Sequence, residues 1–202
     1  MVSATEDYQR RITELLLDAI GDAGFALAGA GAIRAHGLTT RPTEDVDLFA
    51  VSTTSVDVFQ AAIATSEAAL VAHGYQVTRL RSFPLYARLQ VEDSDGVLLD
   101  VDLGVNWREY PSVRFDVGPV LSVQDAVAGK MGATYSRGEV RDFLDVDAIR
   151  QCGRFTDAEL LRLGHEHDEG FEPGIFAIQL AAAARIEPSD AAEYGVDAET
   201  LG

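Results

Sequence analysis

Apolar residues at Ile12, Leu15, Leu16, Ala19 and Ile20 fall on one helical face, with Arg10, Arg11, Glu14 and Asp18 on the other, predicting an amphipathic helix over 4–24. Gly21 and Gly24 end it, and Phe25 to Ala28 is a short extended run into a turn of small residues at Gly29, Ala30 and Gly31. A second helix over 31–37 closes at Gly37. The alternation over 44–51 is that of a central strand. A long helix over 56–74 turns Val58, Phe59, Ala62, Ile63 and Leu70 inward. Strands follow over 75–80 and 85–91, a hairpin turn at Asp93-Ser94-Asp95-Gly96, and a strand over 97–103. The stretch 106–120, with Trp107, Pro111 and Pro119, reads as loop.

Beyond it the period is helical. Ser122, with Asp125 three positions on, caps a helix over 122–132, and Thr156 with Glu159 caps another carrying Leu160, Leu161 and Leu163. An alanine-rich helix over 176–186 precedes an acidic tail over 187–202. The pattern therefore predicts an α/β core over 1–121 and a helical lobe over 122–202, either as two parts or as one compact unit.

The segment 25–49 concentrates the chemistry. Asp45 and Asp47 sit two apart on a strand and so share one side of a sheet. Neighbouring carboxylates repel unless a cation lies between them, and a divalent metal is the usual one. A turn of tiny residues before a helix lets backbone N–H groups approach a phosphate. Metal and phosphate together point to a nucleotide. The strand over 97–103 adds a second acidic pair, Asp100 and Asp102, either of which could supply a third metal-holding carboxylate.

Composition narrows the setting. At 202 residues and 47% hydrophobic content the chain can bury a sizeable core. It shows no membrane-spanning run and no signal-peptide pattern, so a cytoplasmic location is expected. Cys152, the single cysteine, reads as apolar filler. A net charge of −17 argues against general nucleic-acid binding, but Arg79, Arg81 and Arg88 lie in an acid-free stretch over 68–91 and could form a local RNA contact. Lys130 is the only lysine among sixteen basic residues; a compact ammonium reaches phosphate oxygens where a planar guanidinium does not fit. His36, His73, His165 and His167 read as helix-end residues, without zinc-site spacing.

Four motifs in order carry a resemblance: Gly29-Ala30, then Arg41-Pro42-Thr43-Glu44-Asp45-Val46-Asp47, then Lys130 on its helix, then Arg141-Asp142-Phe143-Leu144-Asp145-Val146. They are similar to those of the AbiEii/AbiGii (MenT-like) nucleotidyltransferase toxins. Ala30 departs from that pattern by supplying no hydroxyl.

The resemblance implies a minimal, polymerase-beta-like nucleotidyltransferase core with a mixed sheet and a C-terminal helical lobe. It implies transfer of a nucleoside monophosphate from an NTP to an acceptor hydroxyl, with tRNA as acceptor, a cognate antitoxin as partner and no membrane association. It assigns Asp45, Asp47, Lys130 and Asp142 to catalysis, with Asp145 supporting, and Gly29, Ala30, Arg41, Thr43 and Lys130 to the nucleotide. Mg²⁺ or Mn²⁺ would be held by Asp45, Asp47 and a third carboxylate from the strand over 97–103, for which the resemblance makes Asp100 the first choice and Asp102 the second. Rival readings are nucleotidyl transfer to a protein or small molecule, a DxD glycosyltransferase using a nucleotide sugar, and a non-catalytic partner-binding module.

Overall fold

A computed structural model describes residues 4–195. The described residues divide into two compact units, one within 1–31 and 43–121, the other within 32–42 and 122–202.

The first unit is built on a sheet. Its strands are β1 (Ala26–Leu27), β2 (Asp45–Val51), β3 (Gln76–Phe83), β4 (Tyr86–Glu92), β5 (Leu98–Asn106), β6 (Val113–Phe115) and β7 (Gly118–Val120). Among the described residues they form one seven-stranded mixed sheet in the order β3-β4-β5-β2-β1-β7-β6. β2 and β5 run parallel, with Asp45 beside Asp100 and Asp47 beside Asp102. β4 and β5 are the two arms of the expected hairpin, with Arg88 opposite Asp102 and Gln90 opposite Asp100.

Strand alternation sorts the two faces. Val46, Leu48 and Ala50 of β2, Leu89 and Val91 of β4, and Val101 of β5 are buried, together with Ile12 and Leu16 of helix α1 (Ala4–Ile20) and Phe59, Ile63 and Leu70 of helix α3 (Val56–Ala72). Each such side chain other than the Ala50 methyl contributes about 1.5–3 kcal/mol on leaving water. Phe25 packs its ring 5.7 Å from that of Phe59. The opposite set of positions carries the acids.

Two helix faces differ from the periodic expectation. Leu17 joins the α1 core while Leu15 is only partly buried, and Val58, in the first turn of α3, is 46% exposed. The expected loop over 106–120 holds β6 and β7, whose three-residue length is too short to show an alternation.

The second unit is helical: α4 (Val123–Ser136), α5 (Val140–Gln151), α6 (Asp157–His167), α7 (Pro173–Ala182) and α8 (Pro188–Ala192). Helix α2 (Gly29–Ala35) begins in the first unit and ends in the second. The Ser122 hydroxyl accepts the Asp125 N–H at α4, and Thr156 with Glu159 forms a reciprocal capping box at α6. Part of the expected acidic tail is folded: Ala191 of α8 is fully buried and α8 packs on α5. Residues 196–202 of that tail lie outside the described residues. Among the described residues no helix is long and apolar enough to cross a membrane.

Candidate active site

In the first unit the shared face of β2 and β5 gathers three carboxylates. Asp45, Asp47 and Asp102 each offer an oxygen, and these oxygens lie within 4.8 Å of one another. Asp102, rather than the first-choice Asp100, completes the cluster. Parity alone could not separate them, because both point to the same side of β5; Asp100 instead accepts a hydrogen bond from Gln90 Nε2 at 3.2 Å.

The small-residue turn abuts the cluster. Gly29 opens α2 at φ +55°, and a Cβ placed there would lie 1.8 Å from Asp47 Oδ2. Only glycine leaves room for that carboxylate while accepting a left-handed backbone. The Ala28 N–H donates to the Asp47 carbonyl at 2.8 Å, fixing turn and strand together. Ala30 is buried, at 6% exposure. A crowded all-carboxylate donor set suits a hard divalent cation such as Mg²⁺ or Mn²⁺, so these residues fit the metal that the motif pattern implied.

Arg88 meets this cluster directly. Its Nε donates to Asp102 Oδ1 at 2.7 Å and its terminal nitrogens lie 2.5 Å from Asp102 Oδ2 and 3.8 Å from Asp100 Oδ2. The Tyr86 hydroxyl donates to Asp102 Oδ1 at 2.7 Å. Burial, then the bond to Asp102, pushes the Tyr86 hydroxyl above its ordinary range, and the bond to Asp102 holds the Arg88 guanidinium more firmly protonated.

The three arginines expected to form one RNA contact are therefore separated in role. Arg79 stands opposite the buried Leu89 on the helix-covered face and is paired bidentately with Glu67 of α3. Arg88 belongs to the carboxylate cluster. Arg81 stands opposite Arg88 and is exposed, beside an irregularity in β3 that separates its register from that of Arg79.

The second unit has its own charged cluster. Asp145, fully buried, receives Arg41 through Nε at 2.9 Å and a terminal nitrogen at 3.0 Å, and Lys130 Nζ at 2.7 Å. The other terminal nitrogen of Arg41 donates to the Pro42 carbonyl, and its guanidinium lies 5.7 Å from the centre of the Tyr194 ring. Arg41 was expected to bind nucleotide; the geometry makes it a clasp that fastens residues 32–42 to α5.

Asp142, expected to be catalytic, is also fully buried. Arg137 grips both of its oxygens, at 2.8 and 2.9 Å, and the Glu139 N–H donates to it at 3.3 Å across the α5 cap. Burial alone would raise its pKa, but the Arg137 bonds and charge, with the Lys130 charge, lower it. Asp142 thus serves as a capping and ion-pairing residue. Thr43, another expected nucleotide contact, is tied to Gln9 of α1, donating to its side-chain oxygen while Gln9 donates to the Thr43 carbonyl.

The model of the nucleotidyl transferase AbiEii toxin family, a type IV toxin–antitoxin system, matches residues 12–199. The chain belongs to this family. It is accordingly a nucleotidyltransferase of the toxin–antitoxin class, with an NTP as substrate and an antitoxin as its system partner.

Solved structures agree on the AbiEii fold. JHP933 from Helicobacter pylori is similar over 100% of this chain and 93% of its own, with a TM-score of 0.59 at 14% identity. The nucleotidyltransferase toxin MenT4 from Mycobacterium tuberculosis H37Rv is similar over 95% of this chain and 88% of its own, with a TM-score of 0.54 at 13% identity. No curated protein matches the sequence.

Within this AbiEii-family chain, the partners that the motif pattern did not supply are Arg88 and Tyr86. A signal for the first was present: a hairpin turning at Asp93 to Gly96 sets the pairing of its arms and leads back from Glu92 and Leu98 to Arg88 and Asp102.

Proposed function

We propose that the chain transfers a nucleoside monophosphate from an NTP to a hydroxyl at the 3′ end of tRNA, using Asp45, Asp47 and Asp102 as its metal-holding carboxylates. The convergence of these three side chains beside Gly29 is the observation that carries the proposal. A divalent ion bound there would polarise the α-phosphate and stabilise the attacking and leaving oxygens. In the transfer, the acceptor oxygen bonds to the α-phosphorus, the bond from that phosphorus to the bridging oxygen breaks, and pyrophosphate leaves. The hydroxyl proton passes to a carboxylate of the cluster.

Gly29 and Ala30 are assigned to the approach of the phosphates, through backbone rather than a side-chain hydroxyl. Family membership supports nucleotidyl transfer over glycosyl transfer. The tRNA acceptor follows from the motif resemblance, and any RNA contact must be local on a chain carrying −17.

The test is incubation with each of four α-³²P-labelled NTPs, Mg²⁺ and total bacterial RNA, read on a denaturing gel beside Asp47→Ala. Label in tRNA-sized bands that the variant lacks is expected. Label confined to protein or to small molecules would overturn the acceptor assignment.

A further inference from the structure

We propose that Arg88 is a built-in competitor for the metal, holding Asp102 until a divalent cation displaces it toward Asp100. The inference rests on the assignment of Asp45, Asp47 and Asp102 as the metal-holding set.

Three observations lead to it. First, the Asp102 oxygens are already engaged: Oδ1 accepts from both Tyr86 and Arg88, and Oδ2 is held by the other arm of the same guanidinium. A paired Arg–carboxylate fork is directional and strong: Oδ1 has both of its lone-pair sites taken and Oδ2 one of its two, so a cation at Asp102 competes with the guanidinium charge and its N–H donors at close range. Second, the Asp102 side chain is only 10% exposed, which limits solvent screening of that contest. Third, Arg88 has a second acceptor on the same sheet face. Asp100 Oδ2 lies 3.8 Å from a terminal nitrogen of Arg88, on the carboxylate that stands outside the metal cluster.

The two acids of β5 thus have different tasks. Asp102 is the ligand and Asp100 the site that receives the arginine it releases. An arginine in this position balances the carboxylate cluster in the metal-free protein and weakens binding of a lone cation. A metal that enters with a triphosphate brings anionic oxygens with it and meets less opposition. Arg88 is a positioning residue in this scheme, acting through Asp102.

The test is Mn²⁺ binding to the full chain, followed by the loss of the free-ion electron paramagnetic resonance signal, with no turnover required. Arg88→Gln should bind Mn²⁺ roughly tenfold more tightly than the unaltered chain, the scale of an ordinary coupling between sites. Arg88→Lys keeps a charge but cannot fork both oxygens, and should fall between the two. Arg81→Gln removes an equal charge from the exposed residue opposite Arg88 and should stay within about twofold of the unaltered chain, far below such a coupling.

Unchanged or weaker binding in Arg88→Gln, or an equal gain in Arg81→Gln, overturns the competition. Adding Asp47→Ala to the unaltered and Arg88→Gln chains separates this failure from failure of the site. Mn²⁺ binding that survives Asp47→Ala refutes the carboxylate assignment and the inference with it. Binding that needs Asp47 but ignores Arg88 refutes the inference alone.

Discussion

At the residue scale, the site depends on a side chain that is absent. Gly29 combines a positive φ with a Cβ position that Asp47 already fills. Alanine there would bear the left-handed backbone cost of about 1–2 kcal/mol and would also push the Asp47 carboxylate out of its place. Gly29→Ala should lower the melting temperature modestly and abolish transfer; a variant that retains full activity would show that the turn does not set Asp47. Asp45 and Asp47 were legible in the sequence because strand parity alone puts them on one side. Asp102 was not separable from Asp100 in that way, since both have the same parity and only the three-dimensional convergence distinguishes them.

At the element scale, the sequence read well where a local signal existed. The Ser122 and Thr156 caps are present as expected, and the hairpin between β4 and β5 turns where Asp93 to Gly96 requires. It read poorly where burial depends on a distant element. His167, expected as a solvated helix end, is half-buried in the last turn of α6, and a Cβ on Gly132 of α4 would come within 3.3 Å of its ring.

Burial lowers its pKa from the ordinary 6.5, against the opposing charges of Asp125 and Asp168. The unfolded chain therefore binds the proton more readily than the folded one. The contribution of the neutral ring to stability is present above about pH 6.5 and declines as pH falls from there through the folded value. Urea midpoints compared at pH 7.5 and pH 5.5 should fall more for the unaltered protein than for His167→Gln. Equal declines in the two proteins would contradict this account of α6.

At the scale of the whole molecule, the sequence suggested a division at residue 121, whereas in the folded chain residues 32–42 also belong with the helical unit. Within that unit a buried ion pair spanning 104 positions, Arg41 to Asp145, and a hydrogen bond from Arg154 to the His36 carbonyl tie this segment to later helices, contacts that no local pattern announces. The same pair engages Arg41, an expected nucleotide contact, within the helical unit, and the Arg137 fork engages Asp142 there. Family motifs preserved the order of these residues but could not say which would touch a ligand and which would hold the scaffold. The acids on β2 and β5 were the part of the site that residue type and parity could identify, and the chemistry is assigned to them.

That assignment is tested most directly by comparing Asp102→Asn with Asp100→Asn. Each variant would be incubated with α-³²P-labelled NTPs and Mg²⁺ in a bacterial extract containing RNA, protein and small-molecule acceptors, beside the unaltered chain. The expected result is label transfer by the unaltered chain, a loss of at least about a hundredfold in Asp102→Asn, as for removing a group that stabilises transition-state charge, and substantial activity in Asp100→Asn. Transfer that survives Asp102→Asn while Asp100→Asn abolishes it would contradict the site as drawn.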